Sequence, residues 1–136
     1  MQDIVAALIT HLGTVAAITT LVSTRIYGGE LSEADIGSMP RKAIILRYAG
    51  GIEEFRTHRS QRQRVDIFSY GEDYLEAGRV DRAVADALIA IRRTESESTL
   101  LHAVGYAGVF QLKEPDTGWR YNVRTATITA GETVTT

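Results

Sequence analysis

Residues 62–91 read RQRVDIFSYGEDYLEAGRVDRAVADALIAI. Residues 62–70 alternate with the period of two that marks a strand: Val65 and Ile67 on one side, Asp66, Phe68 and Tyr70 on the other. Gly71 breaks the strand. From Glu72 to about Arg92 the period becomes that of an amphipathic helix. Leu75, Val80, Val84, Leu88 and Ile91 form its apolar side, and Glu76, Arg79, Arg82, Asp86 and Arg92 its polar side. Glu72 and Asp73 suit the positive end of the helix dipole, and Arg92 and Arg93 the negative end. Gly78 costs the helix about 1 kcal/mol relative to alanine. An apolar helix face of this kind needs a sheet to cover, and the sequence on either side supplies the strands.

Upstream, Asp3 is placed to cap a first helix whose apolar face is Val5, Leu8, Ile9 and Leu12. Gly13 ends or interrupts it. Thr14 is a candidate cap for a second short helix over residues 15–22, which the β-branched run Ile18-Thr19-Thr20 weakens. Arg25-Ile26-Tyr27 is a short extended piece stopped by Gly28-Gly29. Residues 30–41 read as a loop, because Ser32, Asp35, Gly37, Ser38 and Pro40 break any period and Pro40 disfavours helix at Met39. Residues 42–48, KAIILRY, form a strand with a nearly continuous apolar run. It is expected to be buried on both faces, either centrally or beneath a neighbouring subunit. After Gly50-Gly51 comes a polar stretch with Arg56, His58, Arg59, Arg62 and Arg64 in close order. It is too long for a tight turn and reads as an arm projecting from the sheet, or as strand extensions with a flexible tip.

Downstream, residues 94–98 read as a polar linker and the last third as a hairpin of residues 100–112 and 119–129. Pro115-Asp116-Thr117-Gly118 supplies the turn chemistry. In the second strand Trp119, Tyr121, Val123 and Thr125 share one face, and Arg120, Asn122 and Arg124 the other. Gly105 and Gly108 point to a bulge or a close backbone approach. The fold class is α+β: a mostly antiparallel β-sheet with an N-terminal helix and one long helix packed on one face. Residues 1–130 form a single domain, and 131–136 a frayed C-terminal tail.

Composition removes several functional classes. The chain has 136 residues, 44% hydrophobic and 24% charged, which is ordinary for one globular domain. A net charge of −2 gives no bulk electrostatic reason for a nucleic-acid partner. The cations are nearly all arginine, with Lys42 and Lys113 the only lysines, a bias that suits protein contacts and equally follows from GC-rich codons. There is no cysteine, so disulfides, thiolate catalysis and cysteine-ligated metals are excluded. Asp3 and the short apolar run at residues 4–9 do not read as a signal peptide. No run approaches the roughly 20 apolar residues of a membrane span.

The search for chemistry is mostly negative. His11, His58 and His102 fall in a helix, an arm and a strand, with no partner at ligand spacing. Gly28-Gly29 and Gly50-Gly51 lack the spacing of phosphate loops and read as turns. There is no Gly-x-Ser-x-Gly elbow. Glu53 and Glu54 are sequence neighbours that point to opposite faces of a strand, which argues against a paired acid and base. No catalytic, cofactor-binding or metal-binding residue is assigned. The arginines at 56–64 stand above this background as an interface arm, a phosphate-binding loop or a solvated hairpin.

The ordered pieces together resemble the tail terminator and tail-completion (head–tail joining) proteins of long-tailed bacteriophages and gene transfer agents. They are the helix with Leu8 and Leu12, the Leu21-Val22 to Arg25-Ile26-Tyr27 exit, and Pro40 ahead of an apolar strand. They continue with Arg-Gln-Arg-Val-Asp-Ile-Phe-Ser from Arg62 to Ser69, the helix over residues 83–91 and the final strand from Trp119. The resemblance spans nearly the whole chain. The exit Tyr70-Gly71 is less polar, and the loop at 30–41 longer, than the family pattern.

The resemblance implies a non-enzymatic virion protein without cofactors. It would form a homo-oligomeric ring of about six subunits at the head-proximal end of the tail, assembled in the bacterial host cytoplasm. The ring ends tail-tube polymerisation and contacts the tail-tube protein and the head connector. DNA passes through its lumen without being read, and no membrane is involved. A closed ring needs a heterologous contact between two different patches. The candidates are Glu53, Glu54, Arg56, Arg59, Arg62 and Arg64 of the arm, meeting either a sheet edge or Arg79, Arg82 and Asp86 of the helix. The rivals are another connector or tail-tube protein of similar fold, a small-ligand domain, and a nucleic-acid-binding module.

Overall fold

The computed structural model describes residues 3–31, 33–49, 53–55, 60–96 and 99–132, with some side chains inside these spans undefined. The helices are α1 (Ile4–Leu12), α2 (Ala16–Val22), α3 (Glu33–Gly37) and α4 (Tyr74–Ile89). The strands are β1 (Ile26–Gly28), β2 (Ala43–Tyr48), β3 (Glu53–Phe55), β4 (Ser60–Gly71), β5 (Thr94–Ser96), β6 (Thr99–Lys113) and β7 (Arg120–Glu132). They form one seven-stranded sheet in the order β1-β2-β4-β7-β6-β5, with β3 also on β4. Only β1 and β2 run parallel. The α+β class and the mostly antiparallel sheet are as expected.

The N-terminal helices form as the sequence dictates. The Asp3 carboxylate accepts from the Ala6 amide at 3.0 Å, and Gly13 closes α1. The chain bends 87° between α1 and α2. Val15, not Thr14, sits at the cap of α2. The Thr14 hydroxyl instead donates back to the His11 carbonyl at 2.6 Å, so the expected cap is one residue early. No single described helix is long and apolar enough to cross a membrane.

α4 starts at an Asp73 cap that accepts from the Glu76 amide at 2.8 Å, while the Glu76 carboxylate accepts from the Glu72 amide at 3.1 Å. Val80, Val84, Leu88 and, just past the helix, Ile91 are buried as expected. Leu75 is not: it is 73% exposed. It stands five positions before Val80, which at about 100° per residue places it about 140° round the helix. Ala77 and Asp81 fill the buried stripe instead. The helix lies directly on Gly71, where an added Cβ would stand 2.5 Å from the Ala77 amide nitrogen.

The core lies between the sheet and α1, α2 and α4. It joins Ile4, Leu8, Leu12, Ile18 and Val22 to Ile44, Leu46, Val65, Ile67, Ala126 and Ile128. Beneath α4 there is also a polar layer of Gln63, Ser69, Asp81, Asn122 and Arg124, all buried. The Arg124 guanidinium grips the Asp81 carboxylate at 3.0 and 2.8 Å. The Ser69 hydroxyl and the Asn122 side-chain oxygen are buried there without a hydrogen-bond partner.

Two local readings are revised. Residues 30–41 are not wholly loop, since α3 forms within them. The linker at 94–98 contains β5, which turns back on β6. The arm follows the second of its two readings, a strand extension: β2 and β3 lie end to end along one edge of β4, and β7 holds the other edge up to Ser60 opposite Gly131. β7 itself runs to Glu132. The expected bulge in β6 is present, because two residues separate Tyr106 from Val109 while one separates Ala126 from Arg124.

Candidate assembly interface

Alternation along β4 sorts its residues onto two faces. Gln63, Val65, Ile67 and Ser69 face the helices, and Arg62, Arg64, Asp66, Phe68 and Tyr70 face away. The second group, with Tyr121, Val123, Thr125, Thr127 and Thr129 of β7, makes the face that the three long helices leave bare.

This bare face has two halves. One is aromatic. The Tyr70 ring lies 5.3 Å from Tyr121 and 6.3 Å from Trp119, and Phe68 lies 5.9 Å from Tyr121. Tyr27, Leu31 and Met39 close over Ala43, Ile45 and Tyr70 in a small second core. The segment that brings Leu31 and Met39 there is tied by the Tyr27 hydroxyl donating to Asp35 at 3.0 Å and by an Arg41–Asp35 ion pair at 3.4 Å. Burial pushes the Tyr70 phenol up to about 12, with the Glu114 charge adding to the effect. Arg47 lies 5.0 Å above the Phe68 ring and donates to the Gly29 carbonyl.

The other half is polar and lies toward the arm. Arg62 and Arg64 are exposed and sit opposite Thr129 and Thr127. Asp66 accepts from the Thr125 hydroxyl at 2.7 Å. Glu53 and Glu54 belong to β3, with Glu53 opposite Arg62 and Glu54 opposite Gln61. Their side chains, and Arg56, His58 and Arg59 altogether, lie outside the described residues. Arg79, Arg82 and Asp86 are exposed on the outer side of α4. The structure therefore puts Arg62 and Arg64 on the opposite side of the sheet from Arg79, Arg82 and Asp86, where they do not meet within one molecule.

The sequence reading missed one feature. Beyond Leu101 the outer edge of β6 has no strand beside it among the described residues. Phe110 is 70% exposed there, and Val109 and Leu112 are exposed too. The signal was present in the sequence: residues 99–112 contain no Lys, Arg, Asp or Glu.

Of the three histidines, only His11 has a described side chain. His11 is half-buried, and that burial lowers its pKa. Among the described residues no three histidine or carboxylate side chains come together as a metal site. An open groove between α1, β1 and β2 is bordered by Asp3, Arg47 and Tyr48. Its Asp3 carboxylate is already occupied by the Tyr48 hydroxyl at 2.7 Å. Those hydrogen bonds hold the Asp3 carboxyl below its usual range, the Ala6 amide contributing most.

This architecture is a helix-covered open sheet with a bare second face and a free edge. No protein-family model and no curated protein matches the sequence. Among solved structures, a chain of the "virion of native gene transfer agent (GTA) particle" is similar to it. The two superpose with a TM-score of 0.71 at 16% identity, covering 93% of each chain. At that identity the likeness establishes a shared fold.

Proposed function

We propose that this chain is a structural, non-enzymatic protein of a phage-like virion, located in the tail, and specifically a tail terminator. In this reading it forms a homo-oligomeric ring, six subunits as in the family it resembles, at the head-proximal end of the tail. The ring ends tube polymerisation, joins the tube to the head connector and lets DNA through its lumen. The observation that carries the reading is the superposition, over 93% of both chains, on a chain from a gene transfer agent virion. The ordered sequence pieces that resemble tail terminators support the finer assignment.

The placement of the candidate residues suits a ring. A closed ring joins one patch to a different patch on its neighbour. Arg62 and Arg64 on the bare face, and Arg79, Arg82 and Asp86 on the outer side of α4, are two such patches on opposite sides of one molecule. In the sequence Glu53, Glu54, Arg56 and Arg59 precede the first patch.

Electron microscopy of particles from a genome lacking this gene tests the assignment. Loss of a terminator leaves tailless heads beside tubes longer than normal. Complete absence of tubes assigns the chain to the tube instead, and tails of normal length joined to heads contradict a tail-completion role.

A further inference from the structure

We infer that the free edge of β6 is self-complementary and pairs with the same edge of a second copy about a two-fold axis. In this register Val104 lies opposite the partner's Lys113, Gly105 opposite the partner's Leu112, Ala107 opposite the partner's Phe110 and Gly108 opposite the partner's Val109. An unpaired strand edge presents a row of amide donors and carbonyl acceptors, so its fitting occupant is another strand.

Four observations select a second copy as that strand. The first is charge. Residues 104–112 carry none, so antiparallel self-pairing opposes no like charges, and Lys113 falls opposite a valine.

The second is size. Leu112, which is exposed, meets Gly105, so a large residue of one copy falls against the smallest of the other. Among the described residues no atom lies within 4 Å of a Cβ added at Gly105.

The third is the bulge. Residues opposite each other across a sheet must share a face. In a regular strand Gly105 and Leu112, seven positions apart, would face opposite ways. Here Gly105 pairs with Thr127 and Leu112 with Tyr121, two residues of the same bare face. The bulge between Tyr106 and Val109 therefore makes this self-register consistent on both sides of the axis. At the axis itself Gly108 has no side chain to misplace.

The fourth is the ends. The incoming strand runs out at the partner's Leu101, where β5 begins. Just before β5 stand Arg92 and Arg93, both exposed, while the β6–β7 turn brings Glu114 and Asp116. Each acidic turn thus abuts a basic corner of the other copy.

This inference is independent of the ring reading. A two-fold contact closes on two copies, whereas ring contacts are heterologous. The absence of native cysteine makes a register-specific test simple. Gly105 and Leu112 of one chain are about 23 Å apart along the strand, at about 3.3 Å per residue, too far to join to each other.

The purified full-length G105C/L112C variant should oxidise to covalent dimers, while G105C alone and L112C alone should not. Wild-type chain at high concentration should show twice the mass of one chain in light scattering. Phe110→Asp, with circular dichroism confirming the fold, should weaken the dimer by about tenfold or more. A monomeric wild type, an uncrosslinked double variant, or a single variant that crosslinks as well as the double, each overturns the inference.

Discussion

The helix-covered face of the sheet is closed by Ile44, Leu46, Val65, Ile67 and Ile128 against three helices. The bare face of the same strands carries Arg62, Arg64 and Asp66 at one end and Phe68, Tyr70 and Tyr121 at the other. Since successive residues of a strand point to opposite sides, both faces are written in one sequence. The covered face is self-sufficient, with each large side chain meeting another from the same chain. The bare face is only half closed, by the segment that brings Leu31 and Met39. Stability therefore belongs to the first face, while the proposed neighbour contact through Arg62 and Arg64 belongs to the second, and substitutions separate the two.

The largest effect is expected at the covered ion pair. Asp81→Ala leaves the Arg124 charge buried without its carboxylate and should cost about 4 kcal/mol in denaturant unfolding. Replacing both Asp81 and Arg124 by leucine should recover most of that loss, because no buried charge remains. Gly71→Ala forces a methyl into the α4 backbone and should cost about 3 kcal/mol.

Two leucines of α4 sharpen the comparison further. Leu88→Ala empties a fully buried position and should cost about 2.5 kcal/mol. Leu75→Ala should stay within about 0.5 kcal/mol, because that side chain is 73% exposed. Equal losses at the two positions would break the distinction between stripe and surface.

A smaller effect concerns pH. The Asp3 carboxyl has its folded-state pKa lowered from 3.8 by the Ala6 amide and the Tyr48 hydroxyl. The stability it contributes is present above the unfolded value and is lost as the pH falls through the folded one. Asp3→Asn should flatten the acid limb of the stability curve below pH 3.8 and leave the neutral plateau shifted only slightly.

Much of the fold was legible because local signals agreed with tertiary need. The alternation in residues 62–70, the acidic Glu72-Asp73 start of the long helix, the apolar run before Tyr48 and the Pro115-Asp116-Thr117-Gly118 turn all became the elements they suggest. The errors have physical causes. Leu75 was placed on the apolar stripe by its chemistry, although its angular position about 140° from Val80 takes it off that stripe. Asp81 and Arg124 carry no sign of burial in the sequence, because a buried ion pair is written in the same letters as an exposed one. β5 is too short to show a period, and only its pairing with β6 reveals it.

The candidate interface was legible in part. The charge pattern picked out Arg62 and Arg64 and the outer side of α4, but strand and helix patterns could not say that the two sets lie on opposite sides. The β6 edge was read as a strand and missed as a surface, since whether an edge is free depends on the order of strands in the sheet.

The most direct test joins stability and assembly in one variant. Arg62→Glu combined with Arg64→Glu changes the polar half of the bare face and no residue of the core. Its melting temperature and its incorporation into particles, scored by electron microscopy, are to be measured side by side. The account predicts a melting temperature close to wild type with loss of completed tails. Normal tails on normal heads, with both charges reversed, would contradict it.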